Sequence, residues 1–441
     1  MKKVRFSYVR WLILTILFCF VLFASISSEI GERYALFLYP GISKIISLVS
    51  SMIPFSLDEW SVLAFIFLLI GYPFYARIRI KRKWFHVLLG EIEILLWIYV
   101  WFYWGWGMNY YRESFYQRAD LSPVVYDEIQ FKEFLQDFTA RLNQTYQECS
   151  HEGWVQSPDL FRPLREITNG VYPVHDIQKE NTIPRDSESL CQPRVPYISN
   201  ASEKDKVSFD AHEIVADVFL SDSSRYSMMD LNLNHGIHPY TMEFIHDEIK
   251  AIYQKVPPKY GLTTPTSYQY PKNSSFNSLY SNVGVLGFMG PFFAESHVNH
   301  ELSALEYPFT YAHELSHLLG ISSEAEANLW AYSVCLKSSH PLVRLSGYFG
   351  LLSCVRSNAM SLLQPSDFEN WEKSLSPDIS AVFYRIHVYW ALRYNHLLGE
   401  IQSTMYTFYL KRNKISSGQK NYAQVVGMLL ALPNYKLEFS E

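Results

Sequence analysis

Three uncharged apolar runs near the N-terminus constrain this chain most. Trp11 to Ser28, Trp60 to Ala76 and Ile94 to Tyr111 contain no Asp, Glu, Lys or Arg. A helix needs about 17–25 mainly apolar residues to cross the hydrocarbon layer, and the first two runs fall near the short end of that range. The third extends back to Trp84 if Glu91 and Glu93 are admitted. Intramembrane carboxylates are costly, so a span starting near Ile94, with both carboxylates at headgroup level, is preferred. The other reading makes Glu91 and Glu93 a site within the spans.

Charge gives the orientation. Lys2, Lys3, Arg5 and Arg10 precede the first run; Arg77, Arg79, Lys81, Arg82 and Lys83 lie between the second and third. Basic loops stay in the cytoplasm. Three spans then put the N-terminus inside and everything after about Asn109 outside. Trp101, Trp104, Trp106, Tyr110 and Tyr111 form an aromatic belt at the exit. A cleaved signal peptide ending near Ala24 leaves this placement unchanged. Residues 29–59 fall outside as a loop. Its apolar stretch Ile42 to Phe55 is too short to span and is expected in the interface or against the other helices.

The rest of the chain differs in character. Residues 1–107 hold 11 Lys/Arg and 6 Asp/Glu, whereas the remaining 334 hold 27 and 37. A whole-chain net charge of -5, with no basic face, argues against a nucleic-acid partner. Five cysteines are too few for a disulfide scaffold. Cys149 and Cys191 could pair outside the cytoplasm, while Cys335 and Cys354 read as buried thiols. Residues 113–148 carry helical spacing at Phe131, Phe134, Leu135, Phe138 and Leu142. Residues 168–208 read as a long loop or insertion, 256–275 as irregular, and the chain after Pro308 as strongly helical.

The chemistry concentrates in Tyr311-Ala312-His313-Glu314-Leu315-Ser316-His317-Leu318-Leu319-Gly320. Histidines four apart on a helix share a face and can bind one zinc ion, with the intervening Glu314 as general base toward a metal-bound water. Pro308 suits the first turn of that helix and Gly320 its end. A catalytic zinc needs a third protein ligand, and Glu324 and Glu326 follow within ten residues of His317. Ser323-x-x-Glu326 is also a capping box. Glu324-x-x-Ala327-Asn328 resembles the E-x-x-A-[N/D] segment of gluzincin-type peptidases, whose leading Glu is a ligand. That resemblance favours Glu324, keeps Glu326 as the alternative, and makes Asn328 a residue that orients a ligand.

Other segments widen the resemblance. They are Leu38-Tyr39-Pro40 with Ile53 to Leu57, Trp106 to Arg112, Gly287 to Glu295, the His313 motif with Glu324 to Asn328, Arg344 to Tyr348, and Tyr406 to Tyr422. Together they resemble the bacterial membrane family of domain of unknown function 3810 (DUF3810), thought to be zinc-peptidase-like. Residues 150–255 match it least, and Phe293-Ala294 stands where the family tends to have Thr-Gly.

The expected architecture is mainly α: three transmembrane helices plus an α+β zincin-like, gluzincin-like metallopeptidase domain. Residues 1–107 form the anchor, with helices at about 11–28, 60–76 and 86–107; 108–255 form an exported subdomain with variable loops; 256–441 form the catalytic region. The expected function is a multi-pass metallopeptidase of the inner cell membrane acting outside the cytoplasm on a peptide or protein substrate. His313, His317 and Glu324 hold Zn2+, and Glu314 activates water. The alternative is a silent, zinc-stabilised binding or signalling protein. Phe292 to Val298 are expected as a substrate-binding strand, with Glu295 in either a substrate or a salt-bridge role. Arg344, Tyr348 and Tyr389 are candidates for stabilising an oxyanion. His297 and His300 are not expected as ligands, and His235-x-x-His238 near Asp230 is a weaker metal option.

Overall fold

Apolar composition and a basic turn build the first layer. The computed structural model describes residues 2–155, 240–413 and 424–440. Four N-terminal helices are long and apolar enough to cross a membrane: Tyr8–Ser25, Ser28–Ser51, Leu57–Arg79 and Trp84–Gly105. The first lies in α1 (Lys2–Ser25). The second joins α2 (Ser28–Arg33) to α3 (Tyr39–Ser51) through a π turn, and the last two contain α4 (Leu57–Phe74) and α5 (Trp84–Gly105). One more helix of this kind exists than the sequence suggests. Glu29, Glu32, Arg33, Pro40 and Lys44 interrupt the apolar run of Ser28–Ser51, but the π turn at Tyr34–Leu38 carries the helix past Pro40 without a break.

Side-chain pairs fix the relative directions of these helices. Arg10 pairs with Glu93, Phe18 packs on Tyr99, and Phe20 on Trp104, so α1 and α5 run parallel. The α5 helix begins at Trp84 and includes Glu91 and Glu93, close to the expected bounds of 86–107. Gly90 leaves no room for a side chain against Tyr72, while Phe65 of α4 and Phe102 of α5 both meet Phe292; α4 and α5 are therefore antiparallel. Ser28–Ser51 instead lies against the globular part. The Tyr39 hydroxyl donates to the Leu318 carbonyl at 2.8 Å, and Tyr268 to that of Lys44 at 3.0 Å.

The globular part has one core. It gathers α6 (Glu128–His151), α7 (Met242–Tyr253), α9 (Tyr307–Leu318), α10 (Glu324–Leu336), α11 (Pro341–Leu362) and α15 (Val425–Ala431) around the fully buried Trp330, Tyr311 and Phe134. Between α7 and α9 come α8 (Asn277–Asn282) and a hairpin of β1 (Gly287–Gly290) and β2 (Glu295–Val298), with Gly287 opposite Val298. After α11 follow α12 (Pro365–Ser374), α13 (Pro377–Ala391) and α14 (His396–Arg412). Among the described residues this hairpin is the only sheet, so the fold is mainly helical.

Two local expectations shift. The helix expected over 113–148 is split into a short turn at Phe115–Arg118 and α6 from Glu128; Ser122-Pro123 opposes helix between them, and Asp127 caps the start of α6 by accepting from the Ile129 amide at 2.8 Å. The strand expected over Phe292 to Val298 is only Glu295–Val298, because 291–294 form the hairpin turn with Ala294 in the left-handed region at φ 50°. Cys149 is buried in the core. Cys191, residues 168–208, Asp230, His235 and His238 lie outside the described residues.

Candidate metal centre

The end of α9 explains how its histidines are presented. Pro308 sits in the first turn. At the other end Gly320 takes φ 97°, Ile321 N–H donates to the Ser316 carbonyl and Gly320 N–H to that of His317, a Schellman closure. The membrane-proximal segment adds side-chain donors to this helix end. Trp106 Nε1 donates to His317 O at 2.9 Å, and Arg112 Nη1 to Gly320 O at 2.9 Å. Arg112 is held in turn by Glu32 of α2 at 2.7 Å. The turn after Gly320 sends the chain back as α10, capped at Ser323, and this brings Glu324 over the two histidines.

His313 Nε2 lies 3.1 Å from Glu324 Oε2, His317 Nε2 lies 3.4 Å from the same oxygen, and the two Nε2 atoms are 3.2 Å apart. Among the described residues this is the one group of three or more metal-ligand side chains that converge. The far ring nitrogens are committed. His317 Nδ1 donates to the Ile321 carbonyl at 2.7 Å, and His313 Nδ1 to the Asn328 side-chain oxygen at 2.8 Å. A ring whose Nδ1 donates in this way aims the Nε2 lone pair inward. Two imidazole nitrogens and a carboxylate oxygen form a donor set suited to zinc. The other Glu324 oxygen accepts the Tyr406 hydroxyl at 2.5 Å.

Glu326 points elsewhere. It pairs with Arg118 at 2.5 Å, both side chains nearly buried, and accepts Trp330 Nε1 at 3.1 Å. One residue beyond His313, the Glu314 carboxyl is buried beside the group. Burial pushes it up to about 7, against the lowering effect of His313 and His317. A Cβ on Gly287 would stand 2.7 Å from Glu314 Oε1, so β1 passes Glu314 closely only because that residue is glycine.

All four side chains line a cavity of about 910 Å³. Gly287, Phe288 and Met289 of β1 form one side of it. The outer edge of β2 is occupied by Lys272, whose N–H donates to Ser296 O at 2.8 Å. The strand bordering the cavity is therefore β1 and not the expected Phe292 to Val298. Glu295 is structural. Its carboxylate accepts Leu57 N and Asp58 N at the start of α4, each at 3.2 Å, and pairs with Lys272 at 2.6 Å. Asp58 answers by accepting Phe292 N at 2.8 Å and Phe293 N at 3.1 Å in the hairpin turn.

None of the expected oxyanion candidates lines the cavity. Arg344 bonds Glu148 and the carbonyls of Ser338 and Ser339; Tyr348 packs on Tyr332 and Phe138; Tyr389 lies under Arg393. His297 stacks on Phe288 with centroids 4.2 Å apart, and neither it nor His300 belongs to the converging group. Residues that sequence reasoning did not assign to the site are Tyr406 and Tyr409 of α14 and Tyr110, whose hydroxyl donates to that of Tyr409 at 3.0 Å. Their only signal was membership of the segments that carry the family resemblance.

A family model described as a protein of unknown function (DUF3810) matches residues 34–430. The chain belongs to that family. No curated protein and no solved structure matches it.

Proposed function

We propose that this member of the DUF3810 family is a membrane-anchored, zinc-dependent metallopeptidase that hydrolyses peptide bonds outside the cytoplasm. The observation that carries the reading is the convergence of His313, His317 and Glu324 beside the buried Glu314, in a cavity bordered by β1. His313, His317 and Glu324 would hold the ion, with Asn328 and the Ile321 carbonyl orienting the rings and Tyr406 positioning the carboxylate. Bound there, zinc supplies a water of lowered pKa and polarises the scissile carbonyl.

Glu314 takes the proton of the attacking water and returns it to the leaving amine. The edge of β1 can add a substrate strand by backbone pairing, placing a peptide bond along the row of Gly287 and Glu314. A silent zinc-stabilised role has no need of Glu314 or of a cavity bordered by a strand. The zincin-like reading of the domain is supported by the α9–turn–α10 unit set against the hairpin.

Three crossings are supported over four. Parallel α1 and α5 start on one side, so one helix between them crosses, and α4, antiparallel to α5, meets that need. Ser28–Ser51 then stays on the side of the globular part, whose residues it contacts. Both basic segments share the opposite side, which is the cytoplasm by charge.

The test is a proteomic comparison of membranes carrying the wild-type full chain or Glu314→Gln. Cleaved fragments present only with wild type are expected, at equal metal content; identical fragment patterns overturn the peptidase reading.

A further inference from the structure

The cavity wall reaches two of the apolar helices. Val62, the sixth residue of α4, and Phe102, the fourth from the end of α5, form part of its wall. At the helical rise per residue they sit ~8 Å and ~5 Å inside the ends of their helices. The facing wall comes from α14, through Leu398, Ile401 and Met405.

That helix has two unlike faces. Tyr406 and Tyr409 turn toward the metal centre, whereas Leu397, Ile401, Met405 and Phe408 are 68%, 51%, 67% and 65% exposed. Spacings of four, four and three put these side chains on one stripe. Large contiguous apolar patches are rare on surfaces that face water. The C-terminal end of α14 is also tied to the end of a spanning helix. Tyr103 of α5 donates to the Asn413 side chain at 2.8 Å, and the Phe102 ring meets that of Tyr409. Lys411 and Arg412 follow at this end, where cationic heads reach lipid phosphates from an apolar stem.

We propose that α14 lies in the membrane surface beside α4 and α5, so that the cavity opens to the bilayer. Its substrate is then the apolar juxtamembrane segment of a membrane-anchored polypeptide, which enters sideways from the lipid. The substrate class rests on the peptidase reading; the lipid-facing mouth does not. Continuity of the cavity wall with Val62 and Phe102 identifies the bilayer as what covers the α14 stripe.

The test uses the full chain in liposomes and needs no turnover. With the exposed Cys19 and also Cys191 replaced by Ser, nitroxides are placed at 397, 401, 405 and 408, and at the exposed Glu369 of α12 as a water-facing reference. Collisions with lipid-soluble oxygen should exceed those with an aqueous nickel chelate at the four positions, and the order should reverse at 369. An aqueous profile at the four positions overturns the proposal. In the second arm, a diazirine-bearing mixed-sequence peptide is offered free or fused to a 20-residue apolar helix. Capture of the fused form should be at least tenfold greater, map to Val62, Phe102, Leu398 or Ile401, and fall at least tenfold in Leu397→Glu/Phe408→Glu with zinc content unchanged. Equal capture, or capture mapped elsewhere, overturns the substrate class. Capture as expected without any fragments specific to wild type would instead sink the peptidase reading alone.

Discussion

The side-chain oxygen of Asn328 accepts a hydrogen bond from His313 Nδ1 at 2.8 Å, linking α10 to α9 behind the converging ligand atoms. This bond sets which ring nitrogen faces the cavity. Loss of such a partner typically costs about 10–100-fold in metal affinity. Asn328→Ala should therefore weaken zinc binding by about that factor, read by competition with a chelating dye, while the protein stays folded.

Glu324 and Glu326 are two residues apart and should fail differently. Glu324→Ala removes a donor from the group and should abolish zinc retention. Glu326→Ala leaves Arg118 buried without its carboxylate. Breaking a buried pair from one side costs about 3–5 kcal/mol, so the variant should melt markedly lower yet retain zinc whenever it is folded. Metal analysis beside thermal unfolding separates the two.

This contrast also shows what the sequence made legible. Spacing alone put His313 and His317 on one face and Glu314 beside them. The choice between Glu324 and Glu326 depends on the direction in which α10 leaves the Gly320 turn, and on Arg118 some 200 residues away, which local pattern does not carry. The extra apolar helix was hidden for a different reason. Charges at Glu29, Glu32 and Arg33 broke a hydropathy run, although Glu32 is neutralised by Arg112 from beyond the third span. Tyr406 could not be found by motif, because it reaches Glu324 only through the packing of α14.

The reciprocal latch between α4 and the hairpin predicts a separation of binding from metal content. Asp58→Ala deprives the Phe292 and Phe293 amides of their acceptor. A buried donor left without its acceptor costs about 1–3 kcal/mol. Amide exchange at Phe292 and Phe293 should quicken and KM for peptide substrates should rise, with one zinc per chain retained.

Acid should destabilise the fold through buried neutral histidines. Burial, assisted by Lys250, brings His246 down to about 3; burial and Lys272 bring His297 down to about 3; burial and Arg344 bring His340 down to about 4. A lowered folded value favours the neutral ring. The stability it contributes is complete above the ordinary histidine value near 6.5 and is lost as pH falls toward the folded values. At pH 5 each group should cost about 2 kcal/mol relative to pH 8. His297→Phe should reduce the slope of melting temperature between pH 6.5 and 5, whatever its effect at pH 8.

The central claim is that His313, His317 and Glu324 form a zinc site. The direct measurement is metal content of the purified full chain in lipid nanodiscs, by mass spectrometry of the metal, for wild type, His313→Ala and Glu324→Ala. About one zinc per chain in wild type, lost in both variants, is the predicted result. A folded wild-type protein without zinc after exposure to it, or equal zinc in all three, would contradict the account.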